Sequence, residues 1–277
     1  MNAALAPPAA GWHASLALGF RRDRERTVLA ERRRQGPLAV QRPFYPEGEV
    51  CHLYLLHPPG GVVGGDRLGM EARVDTGAEA LVTTPGATKF YRSAGSLACQ
   101  VQRLRVGEGG CLEWLPQENI FFPGARVLLE TELELAEGAR FALWELNSLG
   151  RPANDEGFDA GELELSLSIV RDGRPLLLER LRVDARSRRF RSGLAAQPVT
   201  GTLVMGPAGA DALALARECI AGQGEGRCGA TLVEDLLVLR CLGDSTERAR
   251  RLFGAVWAAL RQPVLGRPAV PPRIWAT

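Results

Sequence analysis

The sequence predicts a mainly β fold with two α-helices towards the C-terminus. Three observations carry this expectation. Glycine and proline are abundant, 32 and 18 among 277 residues, which calls for many turns and therefore many short strands. Most segments between them alternate apolar and polar side chains with period two, the signature of half-buried strands. Only two segments, both late in the chain, follow a helical period instead. A helical bundle is incompatible with this pattern.

Taken in order, the alternation marks strands near residues 14–20, 26–32, 38–44, 50–57 and 68–75, then 79–84, 97–106, 126–135, 140–146, 161–170, 175–183, 200–205 and 230–241. The first helical segment, 211–221, stops at Gly222. The second, 244–261, places Ala249, Leu252, Phe253, Val256, Trp257 and Leu260 on one stripe, as an amphipathic helix requires. Asp244 is expected to cap its first turn, with Glu247 reaching back in a capping box. Beyond Pro263 the tail carries Pro268, Pro271 and Pro272, so it should run extended and dock its apolar Trp275. No linker, low-complexity block or fixed-period repeat is visible, and residues 1–277 are expected to form a single domain.

Lysine and arginine total 34 against 32 acidic residues, a formal net charge of +2. A nucleic-acid binder concentrates a basic excess on one surface, and this near-balance speaks against such a partner. The Arg-rich stretches 21–34 and 182–191 are interleaved with Asp23, Glu25, Glu31 and Asp184, as solvated strand faces are. The six cysteines (Cys51, Cys99, Cys111, Cys219, Cys228, Cys241) never form a C-x-x-C pair and read as buried reduced thiols. Residues 1–11 lack a cationic start and are broken by Pro7 and Pro8, unlike a secretory signal. No apolar run approaches the roughly 18 residues that span a bilayer. The expectation is a cytoplasmic protein without membrane contact.

The densest glycine cluster is His57-Pro58-Pro59-Gly60-Gly61-Val62-Val63-Gly64-Gly65-Asp66-Arg67-Leu68. It fails as a phosphate loop, which needs Lys followed by Ser or Thr where this chain has Asp66. The glycines permit close backbone approach and positive φ around a tight reversal that holds Asp66 in place; a purely structural loop explains them equally well. Gly224, Gly226 and Gly229 match a dinucleotide fingerprint by spacing, but a helix precedes and a strand follows, the reverse of the required order. A turn accounts for them better. Cys51, His52 and His57 do not form a local chelate, because Cys51 and His57 lie roughly 20 Å apart on an extended strand and His52 faces the other side. Buried Cys51 with surface or hydrogen-bonded histidines is the expectation.

Thr83-Thr84-Pro85-Gly86-Ala87-Thr88-Lys89-Phe90-Tyr91-Arg92-Ser93 mixes hydroxyls, cations and aromatics, and Lys89 is the only lysine in the chain. No histidine lies near Ser93 in sequence to serve as its base, so a nucleophilic triad is unsupported. Residues 112–124 pack aromatics between prolines, as in a core β-arch. Glu145, between Trp144 and Leu146, sits in an apolar strand, where a carboxylate is exposed, paired, or facing an internal wet space.

Together, 57–68, 81–93, 112–124, Leu149-Gly150-Arg151-Pro152 and the tail Pro272-Arg273-Ile274-Trp275-Ala276-Thr277 resemble the urease accessory protein family UreD, also called UreH. The resemblance spans nearly the whole chain. It implies an irregular right-handed β-helix with two helices towards the C-terminus, and a role that is not enzymatic. It implies apo-urease and UreF as partners, with the GTPase UreG reached through UreF, and no tightly bound cofactor. Nickel would be a transient cargo moving through an internal polar passage. Glu49, Asp66 and Glu145 are the candidates to line it, Asp66 and Glu145 touching the ion directly. His57, Gly60, Gly61, Gly64, Gly65, Thr84, Lys89, Tyr91, Arg92 and Trp275 carry the motifs as partner-facing or structural positions. A pure scaffold with no passage is the alternative reading. A small-molecule hydrolase using Asp66, His57 or Lys89 is a third, which turnover by the isolated chain would have to support.

Overall fold

The computed structural model describes residues 11–222 and 227–276. In chain order the strands and helices are β1 (His13–Asp23), β2 (Arg26–Gln35), β3 (Ala39–Val40), β4 (Cys51–Leu56), β5 (Arg67–Val74), β6 (Glu79–Thr83), β7 (Thr88–Phe90), β8 (Ala98–Val106), β9 (Cys111–Trp114), β10 (Asn119–Phe121), β11 (Arg126–Leu135), β12 (Arg140–Arg151), β13 (Glu156–Gly157), β14 (Glu162–Arg171), β15 (Arg174–Asp184), β16 (Val199–Gly206), α1 (Ala210–Gly222), β17 (Arg227–Val233), β18 (Leu236–Gly243) and α2 (Thr246–Leu265).

The chain coils as a β-helix-like solenoid of about four turns. One wall is a sheet in the order β15-β14-β11-β8-β5-β1-β2, and the other runs β17-β18-β16-β12-β9-β6-β4-β3. Strands that follow one another around the coil stack in parallel, β5 on β8 on β11 on β14 and β6 on β9 on β12. The short β7 and β10 pair in parallel with each other, and β10 with the far end of β12, as a branch of the second sheet. Antiparallel hairpins, β1 with β2 and β14 with β15, end the first wall. Among the described residues no helix is long and apolar enough to cross a membrane.

One corner recurs on three successive turns. Gly77, Gly109 and Gly138 adopt φ of 63°, 61° and 67°, a left-handed conformation that glycine adopts without steric cost. These corners hydrogen-bond to one another, Gly77 N to Glu108 O at 3.0 Å and Gly109 N to Glu137 O at 3.2 Å. The repeat escapes a fixed-period search because the strands it joins begin at unequal intervals, at Arg67, Ala98, Arg126 and Glu162. Inward positions are apolar through most of the coil, for example Leu129, Leu133 and Leu135 of β11. Outward positions carry ion pairs such as Arg103 with Glu132 and Arg105 with Glu134; exposed pairs of this kind add little stability.

Several sequence expectations are corrected. The segment 230–241 is a hairpin, β17 and β18, reversing near Glu234, whose φ is +55°. The strands β7, β9, β10 and β13 are too short to show alternation and add to those the sequence predicts. Ser245, not Asp244, caps α2, its hydroxyl accepting from Arg248 N; Asp244 and Glu247 instead pair with Arg248 and Arg251. The helix continues through Pro263 to Leu265, and the tail ends in a short 3-10 turn, Arg273–Ala276, rather than an extended run. Cys228 and Cys241, directly opposite each other on β17 and β18, form a disulfide instead of remaining reduced. Cys99 and Cys219 are only partly buried. The proposed turn near Gly224 and Gly226 falls outside the described residues, although α1 does precede it and β17 does follow.

The predicted stripe of α2 is buried, and it covers the outer face of the second wall against Ala142, Trp144, Leu146, Leu203 and Leu239. Trp275 docks as expected, with ring centroids 5.0 Å from Trp144 and 5.3 Å from Trp257. The second wall is thus sealed on its outside by α2 while its inside looks into the solenoid.

Candidate functional site

Inside the first turns the packing gives way to a cavity of about 350 Å³. Leu68 and Met70 of β5, Gln100 and Gln102 of β8, Trp114 of β9 and Glu145 of β12 form its walls. Its mouth, the more exposed rim, is made by His57, Gly60 and Gly61, by Thr84 and the turn that follows it, by Lys89 of β7, and by Gln117 and Asn119. These positions follow from strand alternation: residues 100 and 102 share the inward face of β8, and residue 145 the inward face of β12. Most of the lining is apolar, with Leu38, Leu55 and Leu56 joining Leu68 and Met70; an all-apolar cavity stays dry, and the amide, imidazole and carboxyl groups here are the ones that could partner water.

A chain of hydrogen bonds crosses the interior. Trp114 Nε1 donates to Gln102 Oε1 at 2.8 Å, Gln102 Nε2 to Thr131 Oγ1 at 3.1 Å, and Thr131 Oγ1 to Glu145 Oε1 at 2.6 Å. Asn119 Nδ2 donates to Asn147 Oδ1 at 3.0 Å beside it. Glu145 has no cationic partner among the described residues. The surface it keeps faces the cavity, and protein surrounds it otherwise, so burial raises its pKa to about 7 despite the Thr131 hydrogen bond. Such a carboxyl is partly protonated near neutrality and gains from any cation that enters. His57 is half-buried at the mouth; burial lowers its pKa, opposed by the charge of Asp66. The imidazole is therefore neutral at pH 7 and able to offer a lone pair.

The other sequence candidates fall in distinct places. Asp66 is buried at the foot of the glycine cluster, but its carboxylate accepts from Trp12 N at 2.8 Å and Val63 N at 2.9 Å. It holds the loop and does not line the cavity. Gly60 and Gly65 take φ of 79° and 98°. A Cβ on Gly61 would stand 2.2 Å from the Tyr91 ring, and one on Gly64 would stand 2.3 Å from Ser93 Oγ. The loop thus has the positive φ and close approaches that its composition suggested. Tyr91 and Arg92 are exposed, and Trp12, Val63 and Leu97 are exposed apolar neighbours of this loop. Glu49 lies outside the cavity, on the surface, paired with Arg22 at 3.1 Å. Its place in the sequence, next to the buried β4, gave no sign of this. Trp275 Nε1 donates to Thr83 Oγ1 at 3.1 Å, one residue before the mouth.

Comparison with known proteins settles the family. The UreD urease accessory protein family matches residues 13–276. The chain belongs to the UreD family. The urease accessory protein UreD of Alcanivorax borkumensis is 51% identical over 254 residues, covering 91% of this chain and 86% of its own. That of Alkalilimnicola ehrlichii is 46% identical over 275 residues, covering 98% and 94%. That of Escherichia coli is 46% identical over 272 residues, covering 96% and 98%.

One feature of this UreD-family chain was invisible in its sequence. On the outer side of the second wall, Arg261 of α2 is fully buried between Glu47 and Glu113. Its guanidinium meets Glu47 at 2.7 Å through Nη1 and Nη2, Glu113 at 2.8 Å through Nη2, and the carbonyl of Pro268 at 2.6 Å. Trp257 Nε1 donates to Glu113 at 2.6 Å, and buried His52 lies 2.6 Å from Glu47. Burial opposes ionisation of Glu47, but hydrogen bonds from His52 and Arg261 outweigh it and hold its pKa at about 2. This knot joins α2, β4, β9 and the tail. Among the described residues no group of three or more His, Cys, Asp and Glu side chains could hold a metal ion. Cys51 is a buried thiol, as its sequence context predicts, and burial raises its pKa to about 11, opposed by a hydrogen bond from Tyr45.

Proposed function

We propose that this chain serves urease maturation by bridging apo-urease to UreF, and through UreF to the GTPase UreG, while nickel passes through its interior cavity. The observation that carries the reading is Glu145, a carboxyl on the wall of an interior cavity with no ion-pair partner among the described residues. Amide, hydroxyl and single carboxyl donors favour a divalent ion enough to offset part of its dehydration but bind it less tightly than clustered imidazole or thiolate. An ion held that way can also leave. Neutral His57 at the mouth is suited to meet the ion first, and Lys89, which borders the same cavity, adds a positive charge that works against a prolonged stay.

Turnover is not part of this role. Asp66 spends its carboxylate on two backbone amides, and Ser93 donates to Ser96 O, so neither is poised with a base for hydrolysis. The exposed Trp12, Val63, Leu97 and Tyr91 around the glycine loop favour docking as a second contribution, and a pure scaffold would use that contribution alone. Urease activation with co-purification of the accessory proteins separates the two. Glu145→Gln is expected to leave the complex assembled while activation falls about 10-fold or more, in the range seen when metal-contacting shells are altered. Full activation by Glu145→Gln would remove the passage and leave the scaffold.

A further inference from the structure

We infer that Trp114, Gln102 and Thr131 are positioning residues that fix Glu145 as a hydrogen-bond acceptor on one oxygen and leave its other oxygen as the cavity's contact for a divalent cation. The inference rests on the passage reading and adds to it the part of the fold that sets the contact.

The chain of hydrogen bonds starts from a group with no choice. An indole N–H donates and cannot accept. At 2.8 Å from Gln102, Trp114 must therefore face the amide oxygen, which settles an orientation that is otherwise ambiguous for a glutamine. The Gln102 NH2 is then the end turned to Thr131, 3.1 Å away. Having accepted that bond, the Thr131 hydroxyl has one proton to give, and Glu145 Oε1 stands 2.6 Å from it. Each link dictates the next, so a ring nitrogen on β9 decides the role of a carboxyl oxygen on β12. Gln102 and Thr131 are buried, so bulk water does not compete to reverse the chain.

At the end of the chain Glu145 Oε1 is committed. No donor among the described residues reaches Oε2, while Glu145 borders the cavity together with Gln100, Gln102 and Asn119. One fixed carboxyl oxygen among neutral amides is a one-point contact, suited to a cation that pauses and moves on. A swinging carboxylate could offer both oxygens and hold the ion longer. Partners that orient a metal-contacting group in this way typically change affinity or activity 10- to 100-fold when removed.

The test measures urease activation by the assembled accessory complex across a range of Ni²⁺ concentrations. Thr131→Val keeps shape but removes the hydroxyl, and is expected to raise the Ni²⁺ concentration for half-maximal activation by about 10-fold. Thr131→Ser loses a methyl group but keeps the hydroxyl, and should stay within about twofold of the parent chain. Packing alone predicts the opposite ranking, since valine fills the site better than serine. Gln102→Glu should resemble Thr131→Val, because a carboxylate at that position accepts from both Trp114 and Thr131 and draws the hydroxyl away from Glu145. If Gln102→Glu fails to assemble, the Thr131 pair still decides. Valine equal to or better than serine overturns the inference. If Glu145→Gln itself activates like the parent chain, the passage reading falls with it; if Glu145→Gln is impaired and Thr131→Val is not, only the positioning role falls.

Discussion

Two adjacent residues of β9 face opposite ways and enter opposite kinds of polar site. Glu113 points outward into the knot around Arg261, where two carboxylates, a guanidinium, an indole and an imidazole lie within hydrogen-bonding distance of one another. Trp114 points inward and starts the chain to Glu145, which has no cation among the described residues. In the knot the protein supplies the countercharge, and the acids serve architecture. In the cavity Glu145 has a hydroxyl as its partner and no ion pair among the described residues. The pKa values express the difference: Glu47 is held at about 2 by its partners, whereas burial drives Glu145 to about 7.

The largest expected effect comes from removing the knot's cation. Arg261→Met fills similar space but leaves Glu47 and Glu113 buried without their partner, and breaking a buried pair in that way costs about 3–5 kcal/mol. Denaturant unfolding of the variant should show that loss. Adding Glu47→Gln and Glu113→Gln to it should recover a large part, because the uncompensated charges disappear. An Arg261→Met chain as stable as the parent would erase the contrast between the two sites.

The next effect is a pH dependence confined to the knot. The pKa of Glu47 falls from an ordinary 4.5 to about 2 on folding. Its contribution is therefore complete above pH 4.5 and lost as pH falls through 2, with a size of up to about 3 kcal/mol. Comparing unfolding of the parent and Glu47→Gln at pH 7 and pH 2.5 isolates it. The parent should lead at pH 7, and the gap should shrink towards zero in acid. A gap that does not change with pH would mean that shape at Glu47, rather than its charge, secures the knot.

The sequence made one of these sites easier to see than the other. The β-rich fold, the α2 stripe and the docking of Trp275 were legible, because alternation and helical spacing are local properties of the chain. Glu145 was legible too, as a carboxyl interrupting an apolar strand. Its surroundings left a weaker sign: Gln100, Gln102 and Thr131 are polar residues at inward positions of β8 and β11, a break in the apolar inward pattern that has meaning only once the coil is known. The knot left none. Glu47, His52, Glu113 and Arg261 are unremarkable in their own segments and meet only through contacts across as many as 214 positions. Asp66 and Glu49 were chosen by neighbourhood in the chain, and neighbourhood does not say whether a carboxylate faces a cavity, a pair of amides or bulk solvent.

The smallest effect in this set has the opposite sign, which makes it the most discriminating. Because folding raises the pKa of Glu145 from 4.5 to about 7, the stability belonging to its neutral form is fully present below pH 4.5 and lost as pH rises through 7. Above that range the folded chain carries an ionised, unbalanced carboxylate. Glu145→Gln, which is neutral at every pH and keeps an oxygen to accept from Thr131, should therefore be more stable than the parent at pH 8. Glu145 is not fully enclosed, which screens part of the charge, so the gain is put at about 1–2 kcal/mol. At pH 4 the two chains should agree within about 0.5 kcal/mol, as side chains of equal charge and similar shape do. Thermal unfolding at the two pH values reads both numbers. A variant that gains stability at pH 8 while losing urease activation would show an acid kept in the interior against the interest of the fold. One that loses stability at both would place Glu145 with Glu47 and Glu113, as a structural charge whose partner lies elsewhere.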